Sequence, residues 1–432
     1  MNRFIEQLQK KIKQKTVKVS ILGLGYVGLS LLIRLNQLGL KCYGIDLDKR
    51  KINLLKKGKT YNNFFKKESV SKLKTKAVFS SGYQNISKSD VIIICLPTPI
   101  TKNKDPDMTS INHANNSIQP YLKKGQMLIL ESTTYPGTTD EIFCEKLSKK
   151  FNLGINFFVS YSPERIDPGN DLNRLETTTK IVSGYSRNCT KLSKNFYKSF
   201  LGKVHEVSNL RTAEFTKLYE NIYRSVNIGL INEMKIICDK MNLNIYEVIE
   251  AAKTKGFGFS SFYPGPGLGG HCIPVDPFLL SWKSKEFDVQ AKFIGLSGEI
   301  NDSMPYFVLN KIIFALNKNN KNIKNSKILI LGVTYKKNID DIRESPALKI
   351  INLLQDNFSN VQYYDPYIKK ITLDNNKILK STKTITNFKT FDLVCLVTDH
   401  DKFDYDKILK QSKIIVDTRG KFNSKSSKVY IS

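Results

Sequence analysis

The strongest constraint on the fold is a glycine-rich turn that follows a short apolar run near the start of the chain. Residues 17–22 read as a buried β-strand, and residues 29–38 read as a helix. The turn between them is Gly23-Leu24-Gly25-Tyr26-Val27-Gly28. The first glycine permits a tight turn, the second lets the backbone approach a pyrophosphate, and the third lets the helix pack closely on the strand. The segment therefore predicts the first βαβ unit of a dinucleotide-binding sheet.

An acidic residue stands where such a unit binds the adenosine ribose. Asp46 ends the second predicted strand, 18 residues after Gly28, and a carboxylate there would repel the 2′-phosphate of NADP. The sequence therefore favours NAD. Its predicted contacts in this region are Gly23, Gly25, Tyr26, Val27, Gly28, Asp46 and Lys51. The cations of Arg50 and Lys51 would nevertheless suit that 2′-phosphate, so NADP stays an alternative.

Short apolar runs alternate with longer amphipathic stretches on both sides of one long helical segment, residues 211–241. The runs before it are residues 17–22, 42–45, 91–96, 127–130 and 157–159. The runs after it are residues 327–331, 361–364, 393–397 and 414–417. This alternation is typical of parallel sheets covered by helices. We therefore expect an α/β protein with two Rossmann-like parallel-sheet domains joined by a long central helix.

The same pattern divides the 432 residues into four segments. Residues 1–15 form a helically spaced N-terminal extension, and residues 16–208 form the first α/β domain. Residues 209–310 form a central helical region, and residues 311–432 form the second α/β domain. A chain of this length is expected to contain two or three domains.

Positive charge is in large excess, with 68 Lys+Arg against 39 Asp+Glu and a formal net charge of +29. The lysines are spread in short runs, which favours a solvated surface over a polyanion-binding patch, so neither nucleic acid nor membrane is expected as a partner. No apolar stretch has the length of a membrane helix, and residues 1–15 lack the core of a signal peptide, so a cytoplasmic protein is expected. The seven cysteines form no C-x-x-C pair, and no metal site is predicted.

One cysteine, Cys272, differs from the other six, which lie in or beside apolar runs. It belongs to the Gly- and Pro-rich segment 264–277, which predicts an irregular loop that presents backbone amides to a ligand. A dehydrogenase that converts an alcohol to an acid benefits from a thiol that holds the intermediate aldehyde. Cys272 suits that step and Asp276 is a candidate for orienting a water, whereas His271 is open between loop packing and a direct chemical role.

Several motifs in this order resemble the UDP-glucose/GDP-mannose dehydrogenase family, whose NAD-dependent members oxidise the 6-hydroxyl of a nucleotide sugar to a carboxylate in two steps. The resemblance extends from about residue 17 to residue 420. Besides the glycine turn with Asp46 and the cysteine loop, it rests on residues 96–99, 131–138, 161–165, 217–221, 332–336 and 343–346.

The resemblance places two residues of the long helix beside the reacting C6 oxygen, namely Lys217 and Asn221. They are four apart in the sequence and hence on one helix face, and Glu214, Ser225 and Asn232 extend the same polar stripe. A polar stripe on an anonymous helix is usually solvated, and only the family resemblance reverses that expectation for the two. An ammonium at this position would stabilise a developing alkoxide and the later oxyanion.

The resemblance also implies the remaining catalytic groups. Cys272 would be the nucleophile, and Glu164 the general base that helps hydrolyse a thioester. Asp276 would help position the water, and Thr133 would form a hydrogen bond near the nicotinamide and that water.

Further contacts follow from the same resemblance. Thr98, Thr133 and Arg343 would contact the cofactor, with Arg343 reaching into the site from the second domain or from a partner subunit. Lys336 would contact the uridine diphosphate, which its charge suits. The full set implied for the substrate is Glu164, Arg165, Lys217, Asn221, Tyr263, Gly267, Gly269 and Lys336. The first α/β domain would bind NAD, the central region would form a homodimer, and the last domain would bind the UDP-sugar.

The sugar is the least constrained part of the prediction. Residues 162–170 and 262–267 resemble the branch that acts on N-acetylated UDP-sugars, most closely UDP-N-acetylglucosamine, with UDP-N-acetylmannosamine as the alternative. Val275 stands where the glucose branch usually has lysine, which weakens UDP-glucose. Products of this branch feed capsule, O-antigen and other surface polysaccharides. An alternative of a different class is a catalytically silent protein that binds NAD or a nucleotide sugar, although no implied catalytic position is replaced.

Overall fold

The computed structural model describes residues 2–62, 64–101, 103–165, 177–270, 273–382, 385, 387–422 and 426–432. The chain divides into two compact units. Unit 1 comprises Met1–Glu220 and Phe278–Gln290, and unit 2 comprises Asn221–Pro277 and Ala291–Ser432. The first boundary, after Glu220, falls within the continuous helix Leu210–Lys240, so the chain passes there from unit 1 to unit 2 without a linker loop.

Unit 1 is built on an eight-stranded sheet in the order β3-β2-β1-β4-β5-β6-β7-β8. Its strands are β1 Lys18–Leu22, β2 Lys41–Ile45, β3 Ala77–Ser80, β4 Val91–Ile94, β5 Met127–Leu130, β6 Phe158–Tyr161, β7 Lys180–Gly184 and β8 Val204–Glu206. All neighbouring pairs are parallel except β6 with β7. Strands β4 and β5 are apolar and buried along their whole length, as expected for a sheet covered on both faces.

The helices of unit 1 connect these strands. They are α1 Arg3–Lys13, α2 Tyr26–Gln37, α3 Lys49–Lys56, α4 Lys67–Lys76, α5 Thr109–Ile118, α6 Glu145–Ser148 and α7 Arg187–Lys198. A π-helical turn, Thr139–Cys144, precedes α6. The predicted N-terminal extension forms α1, which buries Ile5, Leu8 and Ile12 in the same apolar core as β1 and α7.

The long central helix α8 is Leu210–Lys240, close to the predicted 211–241. The helices that follow are α9 Ile245–Lys253, α10 Asp276–Ser284, α11 Lys292–Lys318, α12 Pro346–Asp356 and α13 Tyr405–Gln411. All of them belong to unit 2 except α10, of which only the first two residues do. The main sheet of unit 2 is all parallel, in the order β10-β9-β13-β14-β15. Those strands are β9 Lys327–Leu331, β10 Asn360–Tyr364, β13 Leu393–Leu396, β14 Ile415–Asp417 and β15 Val429–Ile431, and a separate hairpin pairs β11 Lys370–Thr372 with β12 Ile378–Lys380.

The two sheets close their first βα turn in the same way. In unit 1 the amide of Leu24, just after β1, donates to the Asp46 carboxylate at 2.9 Å. In unit 2 the amide of Val333, just after β9, donates to the Asp365 carboxylate at 2.7 Å. Each aspartate follows the neighbouring strand, β2 or β10. The expectation of an α/β chain with two Rossmann-like sheets and a long central helix is therefore confirmed.

No helix in the described part of the chain has both the length and the apolar character needed to cross a lipid bilayer.

Candidate active site

The glycine turn after β1 has the geometry that its sequence predicts. Gly23 has a φ of +87°, and a Cβ at Gly23 would lie 2.4 Å from the Cys95 carbonyl oxygen. A Cβ at Gly28 would lie 2.0 Å from the Gly23 carbonyl oxygen, so helix α2 approaches the turn as closely as a glycine allows. A Cβ at Gly25, in contrast, would meet nothing within 4 Å. The open space above Gly25 is where the backbone can approach a pyrophosphate.

Helix α2 begins immediately after this turn. Its N-cap residue is Gly25, whose lack of a side chain leaves the first-turn amides without a side-chain cap. Amides in the first turn of a helix have no intrahelical acceptor, and the helix dipole favours an anion there. The turn, the open space and the uncapped helix end therefore fit the diphosphate of a dinucleotide.

Asp46 lies at the end of β2 and is held by the backbone. One carboxylate oxygen accepts from the Leu24 amide and the other accepts from the Asp48 amide, each at 2.9 Å. The Lys51 ammonium lies 3.4 Å from the same carboxylate. An anchored carboxylate with unused lone pairs suits the two ribose hydroxyls of NAD. The cation of Lys51 is paired with this carboxylate.

Thr98 and Thr133, which were predicted to contact the cofactor, lie together at the carboxyl ends of the adjacent strands β4 and β5. The Thr98 hydroxyl donates to the Thr133 carbonyl oxygen. Next to them the Leu96 amide donates to the Ser132 hydroxyl at 2.8 Å. Ligands of parallel α/β sheets bind outside the carboxyl ends of the strands, so the pair is at the expected edge.

Glu164, the predicted general base, follows β6 and is mostly buried. Its carboxylate accepts from the Lys180 ammonium at 3.1 Å and from the amide of Arg165 at 2.7 Å. The same ammonium lies 3.2 Å from the carboxylate of Glu131, which accepts from the Tyr197 hydroxyl. Burial is the main cause that raises the pKa of the Glu131 carboxyl. Glu164 is therefore the outer member of a buried cluster of charged groups.

The Arg165 side chain binds groups outside that cluster. Its guanidinium forms two hydrogen bonds with Glu220 of α8, at 3.2 and 2.5 Å, and a third with the Thr179 carbonyl oxygen at 2.6 Å. Such a bidentate pair fixes the guanidinium plane. The predicted substrate contact Arg165 is therefore already engaged by a carboxylate of its own unit.

Helix α8 buries its polar face. The buried polar side chains are Glu214, Lys217, Asn221, Ser225, Asn232 and Lys235, and the exposed apolar ones include Phe215, Tyr219, Tyr223, Leu230 and Ile237. At 3.6 residues per turn each set falls within an arc of about 80°, and the two arcs lie on opposite faces. The polar stripe is therefore an interior surface, which the spacing alone did not indicate.

Within unit 1, Glu214 binds the loop that carries Thr133. Its carboxylate accepts from the Gly137 amide at 2.6 Å and from the Thr139 amide and hydroxyl at 2.8 and 2.6 Å. The side chain is fully buried, and this burial raises the pKa of the Glu214 carboxyl to about 7 despite those hydrogen bonds. Glu214 lies one helical turn before Lys217, so it fixes the loop to the helix segment that presents the predicted catalytic lysine.

The same loop is held a second time by the C-terminal part of α10, which belongs to unit 1. The rings of Trp282 and Tyr135 have their centroids 5.1 Å apart. The Lys283 ammonium lies 2.9 Å from Glu141 and 2.7 Å from Glu286, and these carboxylates raise its pKa against the opposing effect of burial. The loop around Thr133 is therefore fixed by side chains from two helices.

In unit 2, the Asn221 amide donates to the Asp276 carboxylate at 2.6 Å, and both side chains are buried. Two predicted catalytic residues thus meet, and Asp276 begins α10 directly after the cysteine loop. Cys272 and His271 lie outside the described residues.

The described part of the cysteine loop is bound to the helices of unit 2 through buried side-chain amides. The Asn232 side chain accepts from the Gly265 amide at 2.9 Å and donates to the Asn301 side chain of α11 at 2.8 Å. At Gly269 a Cβ would lie 2.5 Å from Cβ of Tyr335, and at Gly270 a Cβ would lie 2.9 Å from the ring of the same tyrosine. Gly267 has a φ of +129°. These close approaches explain the glycines of the loop.

The other predicted contacts in unit 2 are more dispersed. Tyr263 is exposed, and its hydroxyl donates to Glu250 at 2.6 Å. The Arg343 guanidinium pairs with Asp341 at 2.6 Å. Lys336 follows the turn after β9, and its carbonyl oxygen accepts from a neighbouring threonine hydroxyl. Among the described residues no group of three or more His, Cys, Asp or Glu is arranged to hold a metal ion.

Sequence reasoning missed Lys180 and gave no role to Glu131. Glu131 belongs to a family motif, and Lys180 begins a strand, Lys180–Gly184, whose five residues are all buried. A lysine inside a buried strand needs a carboxylate partner. That signal indicates a buried ion pair but not which glutamate forms it.

Comparison with known proteins matches the chain in three consecutive parts to models of the UDP-glucose/GDP-mannose dehydrogenase family. Residues 17–201 match the NAD binding domain, residues 211–303 match the central domain, and residues 329–424 match the UDP binding domain. The described glycine turn and Asp46 fall in the first match, so the chain contains an NAD-binding domain.

Individual relatives cover almost the whole chain. A UDP-N-acetyl-D-mannosamine dehydrogenase of Methanococcus vannielii is 35% identical over 96% of both chains. An NDP-N-acetyl-D-galactosaminuronic acid dehydrogenase of Ralstonia solanacearum is 31% identical over 94% of this chain and 96% of its own. The solved structure of a UDP-D-ManNAc dehydrogenase from Pyrococcus horikoshii has a TM-score of 0.85 at 30% identity, covering 95% of this chain and 97% of its own.

Two glycine substitutions should separate cofactor binding from folding. Gly25→Ala places a methyl group in open space, so the thermal midpoint without NAD should stay unchanged while the Kd for NAD rises by about tenfold or more. Gly28→Ala forces an overlap with the Gly23 carbonyl oxygen, which should reduce the free energy of unfolding by about 1–3 kcal/mol. Calorimetric titration and thermal unfolding measure the two effects. Equal NAD affinity of Gly25→Ala and the wild type would contradict the assigned pyrophosphate position.

The raised pKa of Glu214 should make the protein less stable as the pH rises. The folded state binds the proton more tightly than the unfolded state, so stability is lost between the ordinary value of 4.5 and the folded value of about 7. Glu214→Gln removes this titration. Urea unfolding at pH 5, 6, 7 and 8 should show the wild type losing stability relative to Glu214→Gln.

The matched control is Glu233→Gln, an exposed glutamate on the same helix. The difference in stability between this variant and the wild type should not change with pH. A constant difference for Glu214→Gln as well would show that Glu214 titrates at its ordinary value.

Proposed function

We propose that this chain, which belongs to the UDP-glucose/GDP-mannose dehydrogenase family, oxidises C6 of UDP-N-acetylmannosamine to the uronate with two NAD. The observation that carries the choice of sugar is the 35% identity to a UDP-N-acetyl-D-mannosamine dehydrogenase over 96% of both chains. This favours the alternative over the first expectation, UDP-N-acetylglucosamine. The two sugars differ only in configuration at C2. Because another relative is named for a galacto-configured sugar, the galacto epimer is assayed as well.

The overall reaction converts RCH2OH, two NAD⁺ and water into RCOO⁻, two NADH and three protons. NAD, when bound, accepts one hydride in each oxidation. It would be held by the Gly23–Gly28 turn, Asp46 and Lys51, with Thr98 and Thr133 at the neighbouring strand ends. These assignments are supported by the open space at Gly25 and the anchored Asp46 carboxylate.

Cys272 would add its sulfur to the aldehyde carbon, which forms a thiohemiacetal and keeps the aldehyde bound. Lys217 would stabilise the oxygen at C6 as it gains negative charge. Asn221 would donate to the same oxygen, and its contact with Asp276 supports a fixed orientation of the amide. Oxidation of the thiohemiacetal gives a thioester.

Glu164 would take a proton from water as the water oxygen attacks the thioester carbonyl carbon. The C–S bond then breaks, and Cys272 leaves as a thiolate. Asp276 and Thr133 would orient that water. The fixed Thr133 loop supports this role, because Glu214 binds the Gly137 amide and the Trp282 ring packs on Tyr135.

The substrate contacts proposed in unit 2 are Tyr263, Gly267, Gly269 and Lys336, and Arg343 is a proposed cofactor contact. Arg165 would contribute through its pair with Glu220 rather than as a free cation. The match of residues 329–424 to a UDP binding domain supports the proposal that the second α/β domain binds the nucleotide.

We also propose that a second copy of the chain covers the exposed stripe of α8, defined by Phe215, Tyr219, Tyr223, Leu230 and Ile237. All five side chains are more than two-fifths exposed, and an apolar and aromatic stripe on one helix face is typical of a homodimer interface. The resemblance to dimeric enzymes supports the same occupant.

The reaction is tested by counting NADH per sugar consumed, with UDP-N-acetylmannosamine and the gluco, galacto and UDP-glucose forms assayed separately. Two NADH from the manno epimer are expected. Cys272→Ser should lose the two-NADH turnover while NAD affinity stays within about twofold. Two NADH from another epimer would retain the chemistry and change the substrate, and NADH from none of them would favour a protein that only binds.

The dimer is tested by light scattering on a sizing column. Tyr219→Lys/Leu230→Lys should convert a dimer into a monomer of 49.3 kDa, because two ammonium groups would be buried in the interface. Ser71→Lys/Thr75→Lys on the exposed side of α4 adds the same charge elsewhere and should remain dimeric. A monomeric wild type would reject the proposal.

A further inference from the structure

Lys180 is shared by two carboxylates inside unit 1. Its ammonium lies 3.1 Å from Glu164 and 3.2 Å from Glu131. The side-chain exposure falls from 11% at Glu164 to 4% at Lys180 and 0% at Glu131. The cluster therefore has its outer end at the predicted general base and its inner end at a carboxylate that solvent does not reach.

The charge count in this cluster is unbalanced. One ammonium faces two carboxylates, and burial of a charge is tolerated only when a partner offsets the desolvation. The carboxylates raise the pKa of Lys180, opposing its burial, so this lysine stays charged. Burial raises the pKa of Glu131, where Lys180 and the Tyr197 hydroxyl act in the opposite direction.

Among the described residues, the other titratable groups near the cluster are neutral or paired elsewhere. Burial strongly raises the pKa of the Cys95 thiol and of the Tyr197 phenol, so both stay neutral. The guanidinium of Arg165 is bound by Glu220. Lys180 is therefore the described cation that pairs with Glu164, and Glu131 binds the same ammonium.

We propose that Lys180 is a positioning residue for Glu164: its ammonium holds the Glu164 carboxylate ionised and in one orientation, and Glu131 limits this effect by binding the same ammonium. The proposal rests on the proposed function, in which Glu164 accepts a proton from the hydrolytic water. Lys180 and Glu131 would then set the lowest pH at which Glu164 is ionised and can accept that proton.

The two substitutions should act in opposite directions. Glu131→Gln removes the competing charge but keeps an acceptor for the Tyr197 hydroxyl, so Lys180 pairs more fully with Glu164, which then ionises at lower pH. Lys180→Met/Glu131→Gln removes the cation together with the competing carboxylate. Glu164 then loses the ammonium that contacts it while it stays mostly buried, which makes it ionise at higher pH.

The experiment is the pH dependence of kcat between pH 5 and 9 on the full chain, with NADH formation as the readout. The acidic limb should move down by about 0.5–1 pH unit in Glu131→Gln and up by about 1 unit or more in the double variant. Intact-mass measurement at pH 6 should show a covalent sugar adduct accumulating in the double variant, because hydrolysis is slowed.

Two control variants test whether the acidic limb of the kcat profile reports the ionisation of Glu164. Lys194→Met removes a lysine that pairs with Glu206 at 2.9 Å on the surface of the same unit, and its profile should match the wild type. Glu164→Gln should lose the limb altogether. If the double variant does not fold, the downward shift in Glu131→Gln decides alone.

An unchanged limb in Glu131→Gln, or shifts of both variants in the same direction, would overturn the role of Lys180. A wild type that forms no NADH from any UDP-sugar is a different result, because it rejects the proposed function itself. The two failures are therefore distinguishable.

Discussion

Burial of the polar face of α8 is the constraint on which the candidate site depends. A buried polar group that lacks a hydrogen-bond partner is expensive, typically by about 1–3 kcal/mol, so each group on this face requires a specific neighbour. The Glu214 carboxylate accepts from amides of the loop that carries Thr133. The Asn221 side chain donates to Asp276, and the Asn232 side chain accepts from the Gly265 amide of the cysteine loop. One helix thus determines the position of two loops and of the start of α10, through contacts that each lie within one unit.

Glu214 and Glu164, two of the buried glutamates of unit 1, show how environment separates chemically identical groups. Glu214 is bound by amides and a hydroxyl and has no cation partner among the described residues, and burial raises its pKa. Glu164 is slightly more accessible and is bound by the ammonium of Lys180. Enzymes often separate acid and base roles by such differences in surroundings. Here the glutamate beside the lysine suits proton transfer, and the one without a cation suits a structural role.

Much of the fold could be predicted from the sequence, because the strongest strands are apolar runs bounded by turns. The strands β1, β5 and β9 lie within a residue of their predicted bounds, and the glycine turn lies where its spacing indicates. The strands β3, β8, β11, β12 and β15 were missed, since each has only three or four residues and is partly exposed. The strand β7 was missed although all five of its residues are buried, and its antiparallel pairing with β6 was missed with it.

The site was predictable only in part. Spacing indicated Asp46, and the family resemblance indicated Thr133 and Glu164. The structure adds the neighbours that each of them contacts. Lys180 lies 16 positions from Glu164 and 49 from Glu131, so no local pattern joins the three. Which residues share a buried charge depends on the order of strands in the sheet, and that order is a property of the whole unit.

The inverted polarity of α8 has a practical consequence for anyone who diversifies this protein. Library designs commonly vary polar helix positions on the assumption that they face solvent, and conserve apolar ones as core. For α8 that rule would assign the buried and the exposed face the wrong way round, since the two faces lie about half a turn apart. It would randomise the face that fixes the loops and preserve the face whose apolar side chains are about half exposed in the monomer.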